Sequence, residues 1–156
     1  MKPRRSALLV LAGSVVALGS AAALVLAAPH GRARAPTQAV YLVRVSALCQ
    51  EYGRKLDQIP PVQDPTLLGD VLASVNAALP ILRKQAARIH AVDPPTDLRS
   101  RVARFFVLTN RSIVALQSVR AAALKMNVGN VAMGLERFGR ETIAAKRVAR
   151  SIGYRC

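Results

Sequence analysis

The chain has 156 residues, of which 52% are hydrophobic, only 4% are aromatic and none is tryptophan. Its 23 lysines and arginines oppose 8 acidic residues, which gives a formal net charge of +15. A core of Leu, Val, Ile and Ala suits closely packed helices, and so few aromatic side chains argue against stacking on nucleic-acid bases.

The N-terminal part is an uncharged apolar run, residues 6–29, that follows Lys2, Arg4 and Arg5. As a helix, its stretch from Ala7 to Ala28 would rise about 33 Å, enough to cross a hydrocarbon core of about 30 Å. The run predicts either a single-pass anchor in the cell membrane or a signal peptide cleaved near Ala27, which would release a secreted protein. In both cases the basic start predicts that the C-terminal domain lies outside the cytoplasm.

The predicted domains are a signal anchor or signal peptide at 1–29, a linker at 30–36 and an extracytoplasmic domain at 37–156. Within that domain, apolar residues recur in steps of three and four, which indicates amphipathic helices. Four are predicted, at about 37–59, 65–92, 95–126 and 131–152. With short connections, they predict an all-α, antiparallel up-down four-helix bundle, preceded by one N-terminal hydrophobic helix.

The ends of these helices have recognisable signals. Aspartates stand where helices are predicted to begin, as N-caps or as partners of the helix dipole: Asp64, Asp93 and Asp97. Gly129 is expected to adopt a left-handed conformation, with Asn130 capping the last helix and Gly153 ending it. Pro80 lies inside the second helix, but the apolar pattern continues in phase across it, which predicts a kink and not a boundary.

The two cysteines are Cys49, within the first predicted helix, and Cys156, the last residue. In an oxidising compartment an even pair indicates a disulfide, and two free thiols are the alternative. A bridge would require the C-terminal tail to fold back along the first helix.

Four short motifs carry a resemblance. They are Cys49 midway along a first helix, Leu79 to Arg83, the Pro-Pro-x-x-Leu of Pro94 to Leu98, and the closing Ile-Gly-x-x-Cys of Ile152 to Cys156. On these the chain resembles small exported helical-bundle proteins of high-GC bacteria. The resemblance implies a disulfide-closed bundle and carries no activity.

Residue patterns typical of catalysis are not found. The two histidines, His30 and His90, have too few neighbouring ligands for a metal site, and His90 is expected at the surface near a helix C-terminus. Met126 and Met133 are interpreted as core filler. Glycine-rich phosphate loops and nucleophile elbows are missing, so no catalytic, cofactor or metal residue is predicted.

Three acidic residues are expected in i,i+4 surface pairs: Glu51 with Lys55, Asp97 with Arg101, and Glu136 with Arg140.

The remaining signal is the basic charge. On the last helix, five basic residues lie off the apolar seam: Arg137, Arg140, Lys146, Arg147 and Arg150. They predict contact with an anionic surface, either lipid, wall polymer or an acidic envelope protein, and no specific nucleic acid. The alternative is a solvated face whose arginines reflect GC-rich coding.

The leading functional interpretation is therefore a non-enzymatic, membrane-tethered or secreted interaction module at the envelope. The second is a small-ligand-binding or sensor bundle. Such a sensor would act through a membrane partner, because few residues precede the apolar run.

Overall fold

The computed structural model describes residues 37–156, and the structural statements below concern these residues. The predicted N-terminal hydrophobic helix, its cleavage site and the linker lie outside the described residues. Among the helices from residue 37 onward, none has the length and apolarity that a membrane span needs.

All regular secondary structure within residues 37–156 is helical, with no strand, which confirms the predicted all-α class. Four α-helices are joined by short connections, with one 3-10 turn at Thr96–Leu98 before the third helix. Their bounds are α1 Gln38–Asp57, α2 Leu68–His90, α3 Arg99–Leu124 and α4 Val128–Ile152. Each α-helix packs on the next one along the chain.

Two clusters of buried side chains show that neighbouring helices run antiparallel. The first joins the start of α1, the end of α2, the start of α3 and the end of α4, through residues such as Tyr41, Ile89, Val102 and Ala149. The second joins the start of α2 to the end of α3 and the start of α4. The bundle is thus an up-down arrangement with two cores stacked along its axis.

Gly134 of α4 packs directly against α3, at a position that the apolar pattern did not single out. A β-carbon on Gly134 would lie 2.7 Å from Cγ2 of Val119, which is completely buried. Valine is stiff at χ1 in a helix, so it has little freedom to move away. Glycine here allows the two helices to pack closely.

Gly134→Ala should therefore lower the free energy of unfolding, by about 1 kcal/mol or more, through overpacking against Val119. Gly139 in the same helix is the matched control, because a β-carbon there meets no atom within 4 Å. Gly139→Ala should stabilise by up to about 1 kcal/mol through helix propensity alone. Urea unfolding of both variants measures the contrast, and stabilisation of equal size would contradict this packing.

The C-terminal tail folds back along α1 and is cross-linked to it. Gly153 ends α4 with a φ of 101°, as predicted. The backbone amide of Arg155 donates to Oγ of Ser46 at 3.1 Å, and Cys156 forms a disulfide with Cys49. The predicted bridge is present, and the alternative of two free thiols is wrong.

Pro80 lies inside α2, and the helix continues through it from Leu68 to His90. The prediction of one helix across this proline is confirmed. The buried positions on both sides, including Val75, Leu79 and Ile89, belong to one apolar face. That shared face holds the helix together where the proline removes a backbone hydrogen bond.

The predicted side-chain caps by aspartates do not form, although Asp97 does lie in the first turn of a helix, the 3-10 turn before α3. Oδ1 of Asp64 accepts from the backbone amide and the hydroxyl of Thr66, at 2.8 and 2.6 Å, and α2 begins only at Leu68. Asp64 therefore stabilises a turn before the helix. Neither Asp93 nor Asp97 forms a side-chain cap, because Pro95 is extended and leads into the 3-10 turn.

The α3–α4 turn also differs from the prediction. Asn127 caps α4 by accepting from the amide of Asn130 at 2.9 Å, while Gly129 is already in the helix. The left-handed residue is Met126, with a φ of 56°. Met126 and Met133 are 75% and 62% exposed, so their prediction as core filler is wrong.

Candidate functional site

The basic residues are unevenly distributed along the bundle axis. We call residues 37–49, 87–108 and 145–156 the tail half, because they carry the first core cluster and the C-terminal tail. The tail half has nine basic and two acidic residues. The rest of the described chain, the far half, also has nine basic residues but six acidic ones. The net positive charge is therefore concentrated where α1 begins and α4 ends.

The ion pairs of the described residues also lie outside the tail half. Lys55 pairs with Glu51 at 2.6 Å, and Arg140 pairs with Glu136, as predicted. The predicted pair of Asp97 with Arg101 does not form. Nη1 of Arg101 donates instead to the backbone oxygen of Ser151, at 3.1 Å, near the end of α4. Within the described chain, the basic side chains of the tail half thus have no ion-pair partner.

All five predicted surface-contact residues of α4 are exposed. Lys146, Arg147 and Arg150 belong to the tail half, where the charge is least compensated. Arg137 and Arg140 belong to the far half, on the same helix as Glu136 and Glu141. The structure therefore divides the predicted set of five into two groups with different electrostatic surroundings.

Other basic residues of the tail half come from separate parts of the chain: Arg44, Arg88, Arg99, Arg101, Arg104 and Arg155. None of these six was among the surface-contact residues predicted from the sequence. The antiparallel topology was the available signal, since it places the start of α1 and the ends of α2 and α4 at one end of the bundle.

Tyr154 helps to fix the tail against α1, and sequence reasoning missed it as well. Its ring is buried and lies edge-on to Phe105, and its hydroxyl forms a hydrogen bond with that of Tyr41. Burial raises the pKa of the Tyr41 hydroxyl, although the bond to Tyr154 lowers it in part. The pKa of the Tyr154 hydroxyl is also raised, mainly by burial and to a lesser extent by the hydrogen bond with Tyr41. Both tyrosines are therefore neutral at ordinary pH.

A cleft of about 490 Å³ lies between the two core clusters and is lined by all four helices and Cys156. Its walls are mostly apolar and include Leu82, Phe105 and Phe138. Its exposed lining residues are Asp57 of α1, Lys146 of α4 and Cys156. The cleft therefore opens between α1 and α4, beside the disulfide.

His90, the last residue of α2, is exposed and packs edge-on against Phe106, with ring centroids 4.9 Å apart. This position agrees with the expected surface histidine near a helix C-terminus. In the part of the chain that the structure describes, no group of three or more His, Cys, Asp or Glu side chains is arranged to hold a metal ion.

Comparison of the chain with protein-family models, with curated proteins and with solved structures finds no match. The charge distribution and the cleft are therefore the observations from which a function can be argued.

Proposed function

We propose that this protein is a non-enzymatic, extracytoplasmic helical bundle that contacts an anionic envelope surface through its tail half. The observation that carries the proposal is the imbalance of nine basic against two acidic residues in that half. The same number of basic residues in the far half is largely offset by six acidic ones.

The position of the basic half supports a surface close to the membrane. Residues 1–36 are followed by Thr37, the N-cap of α1, and the start of α1 belongs to the tail half. If the apolar run is a membrane anchor, the start of α1 is the part of the bundle to which the anchor is connected along the chain. If the run is cleaved, the same charges would hold a secreted bundle at the surface.

The expected strength of binding to the anionic surface follows from the number of basic residues close to it. Each basic residue near an anionic surface contributes about 1 kcal/mol, and the attraction decays over a Debye length of about 8–10 Å in physiological salt. Several arginines on neighbouring helix ends would together bind such a surface without a specific pocket.

The proposal predicts salt-sensitive binding to anionic lipid. The fragment from Ala33 to Cys156 suits this test, because both core clusters and the disulfide lie within it. It should co-sediment with vesicles containing phosphatidylglycerol, but not with neutral phosphatidylcholine vesicles, and lose most of that binding by about 0.5 M salt. Equal binding to both vesicles at low salt would contradict the proposal for lipid. Wall polymer can be substituted in the same assay.

The cleft favours a second candidate, a bundle that binds a small ligand and acts through a membrane partner. Its volume of about 490 Å³ falls within the roughly 300–1,000 Å³ usual for small-molecule sites.

A further inference from the structure

We infer that the central cleft binds a single-chain anionic amphiphile, of which a long-chain fatty acid is the simplest example. The inference rests on the second candidate function, a bundle that binds a small ligand, and it is carried by the lining of the cleft together with its basic rim. The apolar chain would lie between the two core clusters, and the carboxylate would meet Lys146 at the rim.

The deep part of the cleft suits an apolar group. Its hydroxyl-bearing residues are Thr109, Ser112 and Thr142, and two of them already donate to carbonyls of their own helix. Oγ1 of Thr109 donates to Phe105 at 2.9 Å, and Oγ of Ser112 donates to Leu108 at 3.1 Å. Oγ1 of Thr142 donates a long hydrogen bond to Oγ of Ser112, at 3.5 Å. With these protons committed, the amide of Gln85 and few other groups of the lining can donate to a polar head, while the aliphatic and aromatic walls favour a hydrocarbon chain.

The rim determines the charge of the ligand. Lys146 lines the cleft, is exposed and has no ion-pair partner among the described residues. Arg147 and Arg150 follow it on α4, within the half that has nine basic and two acidic residues. Asp57 also lines the cleft, from α1, and would disfavour an anion on its own side. The surrounding excess of positive charge therefore favours an anionic head beside Lys146, on the α4 side.

The cleft also has a position where it can be filled without disturbing the protein. Gly53 of α1 lines the cleft, and a β-carbon there would meet no atom within 4 Å. A leucine at this position would extend into the space assigned to the hydrocarbon chain. Gly69 of α2 is the matched control, because its β-carbon also meets nothing within 4 Å and it lies outside the cleft.

The test uses the full chain in lipid nanodiscs with a photoactivatable long-chain fatty acid, followed by digestion and mass spectrometry. Within residues 37–156, labelling should concentrate on peptides that contain 53–57, 82–89 and 138–149, and unlabelled fatty acid should compete. Gly53→Leu should abolish most of this labelling, and Gly69→Leu should preserve it. Labelling that is spread evenly, or that survives Gly53→Leu in a variant with an unchanged thermal midpoint, would overturn the inference.

A second pair of measurements tests the head group. Lys146→Gln should weaken competition by the fatty acid about two- to fivefold, as expected for one charge at a partly exposed rim. It should leave competition by the methyl ester of the same fatty acid unchanged. Since Lys146 is exposed, the substitution should not affect folding. Equal effects on acid and ester, or no effect on either, would overturn the assignment of an anionic ligand.

Discussion

Cys49→Ser is expected to lower the free energy of unfolding by roughly 2–4 kcal/mol. The disulfide joins residues separated by 107 positions in the sequence, and closing a loop of about 100 residues stabilises by up to about 4–5 kcal/mol in the chain-entropy model. The loss is large for a domain whose core contains few aromatic side chains. Denaturant unfolding, followed by tyrosine fluorescence or circular dichroism, measures the loss of stability. In the variant, Cys156 should also become available to thiol labelling.

Reduced wild-type protein is the control, because it lacks the cross-link but does not contain the substituted serine. Cys49 is only 3% exposed, so a serine hydroxyl there also carries a burial cost that reduction does not introduce. Reduction should reproduce most of the loss if the cross-link is responsible. If oxidised and reduced protein unfold at the same denaturant concentration, the bridge contributes nothing and the prediction is wrong.

The second large effect is expected at the buried tyrosine pair. Tyr154→Phe should cost about 1–3 kcal/mol, because it leaves the Tyr41 hydroxyl buried without its partner. Tyr41→Phe should have a similar effect, and the double variant should cost less than the sum of the two. A double-mutant cycle by urea unfolding measures this coupling, and strict additivity would contradict the hydrogen bond.

The same pair predicts a dependence on alkaline pH. Burial raises the pKa of Tyr41 above 10.0 in the folded protein, so the folded state retains a proton that the unfolded state releases. The unfolded state then binds fewer protons, and stability falls as the pH rises above about 10. The thermal midpoint of the wild type should decrease from pH 9 to 11 more steeply than that of the Tyr41→Phe, Tyr154→Phe double variant. Parallel curves would contradict the prediction.

Much of the fold follows from local patterns in the sequence. Apolar steps of three and four give the four helices, and Gly153 marks the end of the last helix. The same steps carry α2 correctly through Pro80, because an apolar face held by its neighbours outweighs one lost hydrogen bond. The disulfide could be predicted from an even pair of cysteines in a chain whose sequence predicts export.

The errors lie at the ends of helices, where turn hydrogen bonds, backbone conformation and tertiary packing are not shown by the apolar pattern. Asp64 has the sequence of a helix cap, but its side chain is engaged by Thr66 in a turn. Met126 is apolar yet exposed in the α3–α4 turn, where its backbone is left-handed. Tyr154 follows the glycine that ends α4 and so has no periodicity to show that it is buried.

The candidate site could be predicted only in part. The basic residues of α4 could be recognised as positions off the apolar seam. Their division into two groups could not, because it depends on which helix ends meet. One group is Lys146, Arg147 and Arg150, and the other is Arg137 and Arg140. The cleft results from the packing of all four helices, and small residues such as Gly53 and Ala86 gave no signal of it.

The central claim, that the tail half contacts an anionic surface, is tested most directly by comparing two fourfold variants with the same change in charge. In the first, Arg99, Arg104, Arg147 and Arg150 of the tail half are replaced by Gln. In the second, Arg54, Arg111, Lys125 and Arg137 of the far half are replaced by Gln. All eight residues are exposed and make no ion pair within the described chain, so neither set should move the thermal midpoint appreciably.

The measurement is co-sedimentation of residues 33–156 with phosphatidylglycerol-containing vesicles at low salt. The tail-half variant should lose most of its binding, whereas the far-half variant should retain most of it. Equal losses would mean that only the net charge matters, and they would contradict a contact through the tail half.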